Sequence, residues 1–417
     1  MRGVNTSPMK DASKGVGPRV ADENADGVPD GARGSGQLPR LRRESLNVRP
    51  MEAVVALYSE GSSDLAEAVL SCLSRAVFEQ TEPPTANLVK RVLARANYRL
   101  LKRTTVRVEA GEGGRTEYRN RLLERSKHPY ARTLLATSSK ETEALVEGGD
   151  PMNGPYMMIA PEIRQQSNLW DKLFFNSVQG RDVQLRFIWE TKATYEEAKR
   201  RLDLGMSVQL KALAAGTGLS MILAYDRLIS QGYDPTRISV TLTDRDSTNT
   251  FKSRLLLGKL APFRGWKVDV TGGGGVFAQT EDIFHQPPEQ AAQDKNDLVT
   301  AIGILEYLQG VTLETTERRH GLPEPEEVAT ARHLAERLCA LTRHDGALIV
   351  NTYRPHSSTR ILELFGKRFD YRDIRHLTEL MAGTQFGPPK VVGSGLIYDV
   401  KLFQKNLPAA VPLSPTP

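Results

Sequence analysis

Gly216, Thr217 and Gly218 follow a short apolar run, Val208–Leu213, and precede a segment in which Met221, Leu223, Leu228 and Ile229 recur at helical spacing. A strand that runs into a small-residue turn and then an amphipathic helix lets a ligand approach the backbone where helix N–H groups point outward. A lone Gly-x-Gly serves a tight strand-to-helix turn equally well. The next apolar run, Ile238–Leu242, continues to Asp244, and an acid at the carboxyl end of a second strand lies beside the first turn and can accept both hydroxyls of a ribose. Asp282, in Glu281-Asp282-Ile283-Phe284, follows a third strand pattern and could hold the edge of an adenine. Gly303 falls just past the end of a fourth. Glu306 and Tyr307 come next, where they could position or deprotonate a substrate, or simply cap and pack a helix. His285 and His356 also follow strand ends, and for them a surface or structural place is the plainer reading.

Other chemistries find little support. Two cysteines, Cys72 and Cys339, cannot build a disulfide framework or a multi-thiolate metal site within one chain, and they fit a reducing compartment. Asp22, Asn24, Asp26 and Gly27 match half of a calcium loop, but its twelfth position is Arg33 and no helical pattern flanks it, so calcium is rejected. No Ser/His/Asp order or metal-ligand spacing stands out, and Gly272–Gly275 reads as a loop.

These residues need a frame. The runs Val208–Leu213, Ile238–Leu242, Trp266–Val270, Leu298–Ile302 and Ala347–Asn351 alternate with helical segments, which predicts a parallel sheet covered on both faces. Lys390–Val392 and Leu396–Phe403, joined by Gly393-Ser394-Gly395, predict a closing β-hairpin. Upstream, apolar residues at helical spacing from Met51 to about Val106 predict a helical N-terminal domain, and residues 162–205 read as helical again. The organisation expected of the 417 residues is a disordered tail over 1–50, the helical domain over 51–160, the sheet domain with a helical cap over 161–405, and a flexible tail over 406–417.

Composition is that of an ordinary globular chain, 39% hydrophobic and 25% charged. No stretch reaches 18 apolar residues and the N-terminus lacks a signal-like run, so a cytoplasmic protein without membrane segments is expected. The net charge is +6. Residues 90–132 hold thirteen Lys or Arg against four Glu, a local +9, so the remainder is slightly acidic. That segment reads either as a face for nucleic acid or a phosphorylated substrate, or as a solvated helical surface. Tyr98, Tyr118 and Tyr130 are too sparse for a base-stacking platform.

The order of turn, ribose acid, fourth-strand stretch Ala301–Tyr307, fifth strand and terminal hairpin, over about residues 160–405, resembles the class I S-adenosylmethionine-dependent methyltransferases. The resemblance implies a Rossmann-like, mostly parallel, seven-stranded sheet with an antiparallel C-terminal hairpin. It also implies that Ala215, Gly216, Thr217 and Gly218 line the methionine end of S-adenosylmethionine and that Asp244 binds the ribose with Arg245 beside the adenine. Asp282 and Ile283 would flank the adenine, and Ala301, Ile302 and Gly303 would floor the pocket near the sulfonium. Two positions depart: the family's first-strand acid would fall at Ala214 and its third small residue at Ser220. The fourth strand lacks the Asn/Asp-Pro-Pro-Tyr/Phe tetrad of enzymes that methylate base amines, since Gly303–Glu306 stands there. The function implied is methyl transfer to a small molecule, with the helices before Gly205 closing the pocket. Methylation of RNA or protein through the basic segment is the alternative, and a non-catalytic cofactor-binding scaffold is a third reading.

Overall fold

The computed structural model describes residues 46–79, 153–167, 178–268, 275–283, 291, 293–308, 331–354 and 370–406. The basic segment 90–132, both chain ends, Trp170, Phe174, Phe175, His285 and His356 lie outside them. Among the described residues, one sheet contains β1 (Val208–Ala212), β2 (Ile238–Asp244), β3 (Gly275–Thr280), β4 (Asn296–Ala301), β5 (Thr342–Asn351), β6 (Lys390–Ser394) and β7 (Asp399–Gln404). Its order is β3-β2-β1-β4-β5-β7-β6. The first five strands are parallel, and β7 runs antiparallel to both β5 and β6. Leu210 pairs with Val240 on one side and Leu298 on the other, and Val299 pairs with Leu348. Apolar runs dominate these strands because both faces are covered, and β4 is buried at all six positions.

The chain moves outward from β1 through β2 to β3, then crosses back to β4. Such a reversal leaves a crevice at the carboxyl ends of β1 and β4. On one face the core joins helices α1 (Pro50–Tyr58), α2 (Ser63–Phe78), α5 (Val178–Asp203), α6 (Leu219–Ser230) and α7 (Ser247–Arg264). Two short helices, α3 (Asn153–Met157) and α4 (Pro161–Gln165), supply Met157 and Ile163 to the same cluster. The other face is covered by α8 (Ala331–Leu341) and α9 (Ile374–Met381) through Leu334, Leu338, Leu377 and Leu380. Among the described residues, no helix is long and apolar enough to cross a membrane.

Helix α5 is the element that brings upstream residues to the crevice. Its 26 residues span about 39 Å at 1.5 Å per residue, and it lies against α6 and strands β1, β4, β5, β6 and β7. The hairpin is pressed onto it: a Cβ on Gly393 would lie 2.0 Å from the Trp189 ring. Asp182 accepts hydrogen bonds from the backbone N–H groups of Ile397 and Tyr398, which ties the hairpin turn to the start of the helix.

Three expectations need correction. The third strand is Gly275–Thr280, not Trp266–Val270, of which Val268 makes only an isolated bridge to Val276. Trp266 instead packs edge-on to Tyr225 and donates to Asp226, while Gly275 at φ 103° begins the strand against the Lys267 carbonyl. Glu306 and Tyr307 do not form the first turn of an α-helix: Leu305–Tyr307 are one 3-10 turn. The hairpin turn lies beyond Gly393, because β6 continues through Ser394.

Candidate active site

The turn after β1 is built from left-handed residues, Ala214 (φ 48°), Gly216 (φ 56°) and Gly218 (φ 66°). It is pinned to the end of β2: the Ala215 N–H donates to the Thr243 carbonyl at 2.9 Å and the Gly216 N–H to Asp244 Oδ2 at 2.8 Å. A Cβ on Gly218 would lie 2.6 Å from a methyl of Leu242, a residue with 1% exposure, so only glycine lets α6 begin this close to the sheet. Gly218→Ala should therefore lower unfolding free energy by about 1–3 kcal/mol, from the left-handed backbone and the crowding together. A denaturant titration checks this, and an unchanged midpoint would refute it.

Asp244 is buried, and its second oxygen accepts from the Asp246 N–H at 2.9 Å. A carboxylate offers about four acceptor directions, so two backbone donors fix its orientation and leave others for hydroxyls. The segment after β3 is brought alongside by the Glu281 N–H, which donates to the Asp244 carbonyl at 3.0 Å. This places half-buried Asp282 and buried Ile283 near the acid, whereas Arg245 is exposed. Lys211, a fully buried lysine of β1, holds Glu281 after β3 and Asp294 before β4, with its Nζ 3.0 Å from the first and 2.6 Å from the second.

At the end of β4, Ala301 is buried and Ile302 half-buried, and Gly303 (φ 77°) donates its N–H to Asn351 Oδ1 at 2.7 Å. Two charged side chains face that glycine: a Cβ there would lie 3.6 Å from Arg186 Nη1 and 3.8 Å from Glu306 Oε1. Arg186 and Glu306 are both buried and pair at 3.6 Å. The guanidinium also donates to the Tyr156 hydroxyl at 3.3 Å and lies 4.6 Å over the Tyr398 ring. Arg186 Nε and Glu306 Oε2 have no hydrogen-bond partner among the described residues. Burial pushes the Glu306 carboxyl above the usual carboxylate range, an effect that Arg186 and the Asn351 side chain partly offset. Tyr307 lies in the same 3-10 turn.

Upstream helices complete the site. Thr217 Oγ1 lies 2.9 Å from the Tyr58 hydroxyl of α1 and 3.2 Å from Asn153 Oδ1 of α3. Glu190 of α5, also buried, accepts from Ser220 Oγ at 2.8 Å, and burial pushes its carboxyl up to about 7 against smaller opposing effects of Ser220 and Arg186. A first-strand acid at Ala214 has no strand to sit on, because β1 ends at Ala212 and Ala214 belongs to the left-handed turn. Sequence reasoning missed Tyr58, Asn153, Tyr156, Arg186 and Glu190. The available signal was Arg186 and Glu190, charges four apart within the apolar stripe of Leu185, Ile188 and Trp189.

The donor set suits S-adenosylmethionine in chemistry: a buried carboxylate with free acceptor directions, a turn of small residues beside it, and a glycine floor bounded by polar side chains. No protein-family model matches the chain, and no curated protein matches it. Among solved structures, the carbon methyltransferase CurJ aligns with 13% identity over 86% of this chain and 96% of its own, at a TM-score of 0.40. The CMeT domain of the citrinin polyketide synthase aligns with 14% identity over 66% of this chain and 69% of its own, also at 0.40. Human N-acetylserotonin methyltransferase, solved with S-adenosylmethionine, aligns with 13% identity over 69% and 70%, at 0.33. Five parallel strands in the order β3-β2-β1-β4-β5, closed by an antiparallel β7-β6 hairpin, make the Rossmann-like, mostly parallel seven-stranded sheet that the sequence resemblance implies.

Proposed function

We propose that the chain transfers the methyl group of S-adenosylmethionine to a small-molecule acceptor. The observation that carries the reading is the pinning of the Gly216 turn to Asp244 at 2.8 Å, at the place where the strand order reverses. When bound, the cofactor supplies a methyl already activated on a sulfonium. Asp244 holds the ribose hydroxyls, and the left-handed turn leaves room for the amino-acid end. Gly303 lets the reacting centre approach the backbone at the end of β4, and Glu306 takes the proton of a protic acceptor. Burial of Glu306 against Arg186 of α5, whose guanidinium also meets Tyr156 of α3, favours a small acceptor, since a polymer reaches so buried a carboxylate only after the helices move. This position also excludes water from the reacting atoms.

Titrating the purified protein with S-adenosylhomocysteine in a calorimeter tests the reading. Saturable binding at one site is expected, with a melting temperature that rises with ligand concentration. Absence of binding would sink the enzyme and leave a scaffold without cofactor. Activity abolished by reversing several charges between Lys90 and Arg132, with cofactor binding intact, would replace the small acceptor by a polyanion.

A further inference from the structure

Glu190 is a carboxylate in search of a cation. It sits on α5 with 8% exposure, and the hydrogen bond it accepts is from a neutral hydroxyl, Ser220 Oγ at 2.8 Å. Among the described residues no Lys, Arg or His pairs with it. Arg186, one helical turn earlier, is directed to Glu306, Tyr156 and the Tyr398 ring. A buried carboxylate that makes no ion pair is costly to ionise, which is why burial raises its affinity for a proton although the more distant Arg186 charge partly offsets it. Ser220 is the second residue of α6, two beyond Gly218, so Glu190 borders the glycine turn from the helical side.

The strand side offers no equivalent. Val208, Gln209, Leu210, Lys211 and Ala212 make up β1, and Leu213, Ala214 and Ala215 follow, without a carboxylate among them. An amino acid whose carboxylate and ammonium both enter the turn needs an acceptor of negative charge for the ammonium. In this half of the crevice that charge stands on α5.

We propose that Glu190, oriented by Ser220, receives the α-ammonium of the S-adenosylmethionine amino-acid end, replacing a first-strand acid that this chain lacks. The proposal rests on the cofactor reading above. An ammonium has three N–H donors, one of which goes to the Glu190 oxygen not taken by Ser220. A helix thus contributes the charge that fixes the amino-acid end, and cofactor binding becomes coupled to the docking of α5 on the sheet.

The test compares two ligands by calorimetry on the full-length protein: S-adenosylhomocysteine, which carries the amino-acid end, and 5′-methylthioadenosine, which lacks it. Glu190→Gln should weaken S-adenosylhomocysteine binding about ten- to hundredfold, the worth of a hydrogen bond to a charged group, and leave 5′-methylthioadenosine within about twofold of wild type. Ser220→Ala should produce a smaller loss with the same ligand selectivity, and serves if the Gln variant folds poorly. Equal losses for both ligands would mean that Glu190 only supports the fold, and no loss for either would mean that the ammonium goes elsewhere; each overturns the proposal while the cofactor reading stands. If wild-type protein binds neither ligand, the cofactor reading itself fails and this proposal with it.

Discussion

Glu306→Gln should lower methyl transfer by about 10²–10⁴-fold while affinity for S-adenosylhomocysteine stays within about twofold, the signature of a base that acts on the acceptor and not on the cofactor. The side chain has 4% exposure at the end of β4, and Oε1 is 3.6 Å from Arg186 Nη1. Gln keeps the shape and one acceptor oxygen, and Arg186 keeps Tyr156 and Tyr398, so the variant is a fair probe of the charge. Burial raises the Glu306 carboxyl, and a base works only when ionised. The wild-type rate should therefore rise with pH through a limb above the usual carboxylate range, as the elevated group loses its proton. The Gln variant should lack that limb. A variant with wild-type rate and pH profile would remove Glu306 from the chemistry and return it to packing. The companion change, Tyr307→Phe, asks whether the neighbouring phenol shares the task.

What was legible in the chain follows from where each residue type is forced to sit. Parallel strands buried on both faces must be apolar runs, so β1, β2, β4 and β5 stand out, and a strand's end fixes its last side chain in space. Asp244 and Gly303 were readable for that reason. The third strand was not, because Trp266–Val268 and Gly275–Thr280 lie close in sequence, both carry alternating apolar residues, and only the second pairs along β2 from Ser239 to Asp244. Residues brought by helices were the least legible. Tyr58 reaches Thr217 across 159 positions and Arg186 reaches Glu306 across 120. No local pattern fixes such distances; they depend on how α5 is clamped by Asp182 and by the Trp189 ring against Gly393. Ala214 shows the same limit from the other side, since the resemblance set it against a first-strand acid although the backbone has already left the strand there.

Asp244→Ala should weaken S-adenosylhomocysteine binding about a hundredfold, or about 3 kcal/mol, because two ribose hydroxyls lose a charged acceptor at once. The carboxylate has two tasks, and the variant separates them. In the free protein it accepts from the Gly216 and Asp246 N–H groups, so its removal strips partners from the turn and from the start of α7. That should cost about 1–3 kcal/mol of unfolding free energy, read from the midpoint of a denaturant titration. Asp244→Asn divides the two effects: the amide keeps the side-chain shape and one of the two acceptor oxygens, so one backbone N–H regains its partner and stability should return in part, while affinity stays below wild type through loss of the charge. If ribose recognition were not at Asp244, Asn would restore both together, and affinity would simply follow the stability of the turn. If Ala left affinity unchanged, the nucleoside could not sit at the end of β2, and the assignment of the crevice between β1 and β4 to S-adenosylmethionine would fall with it.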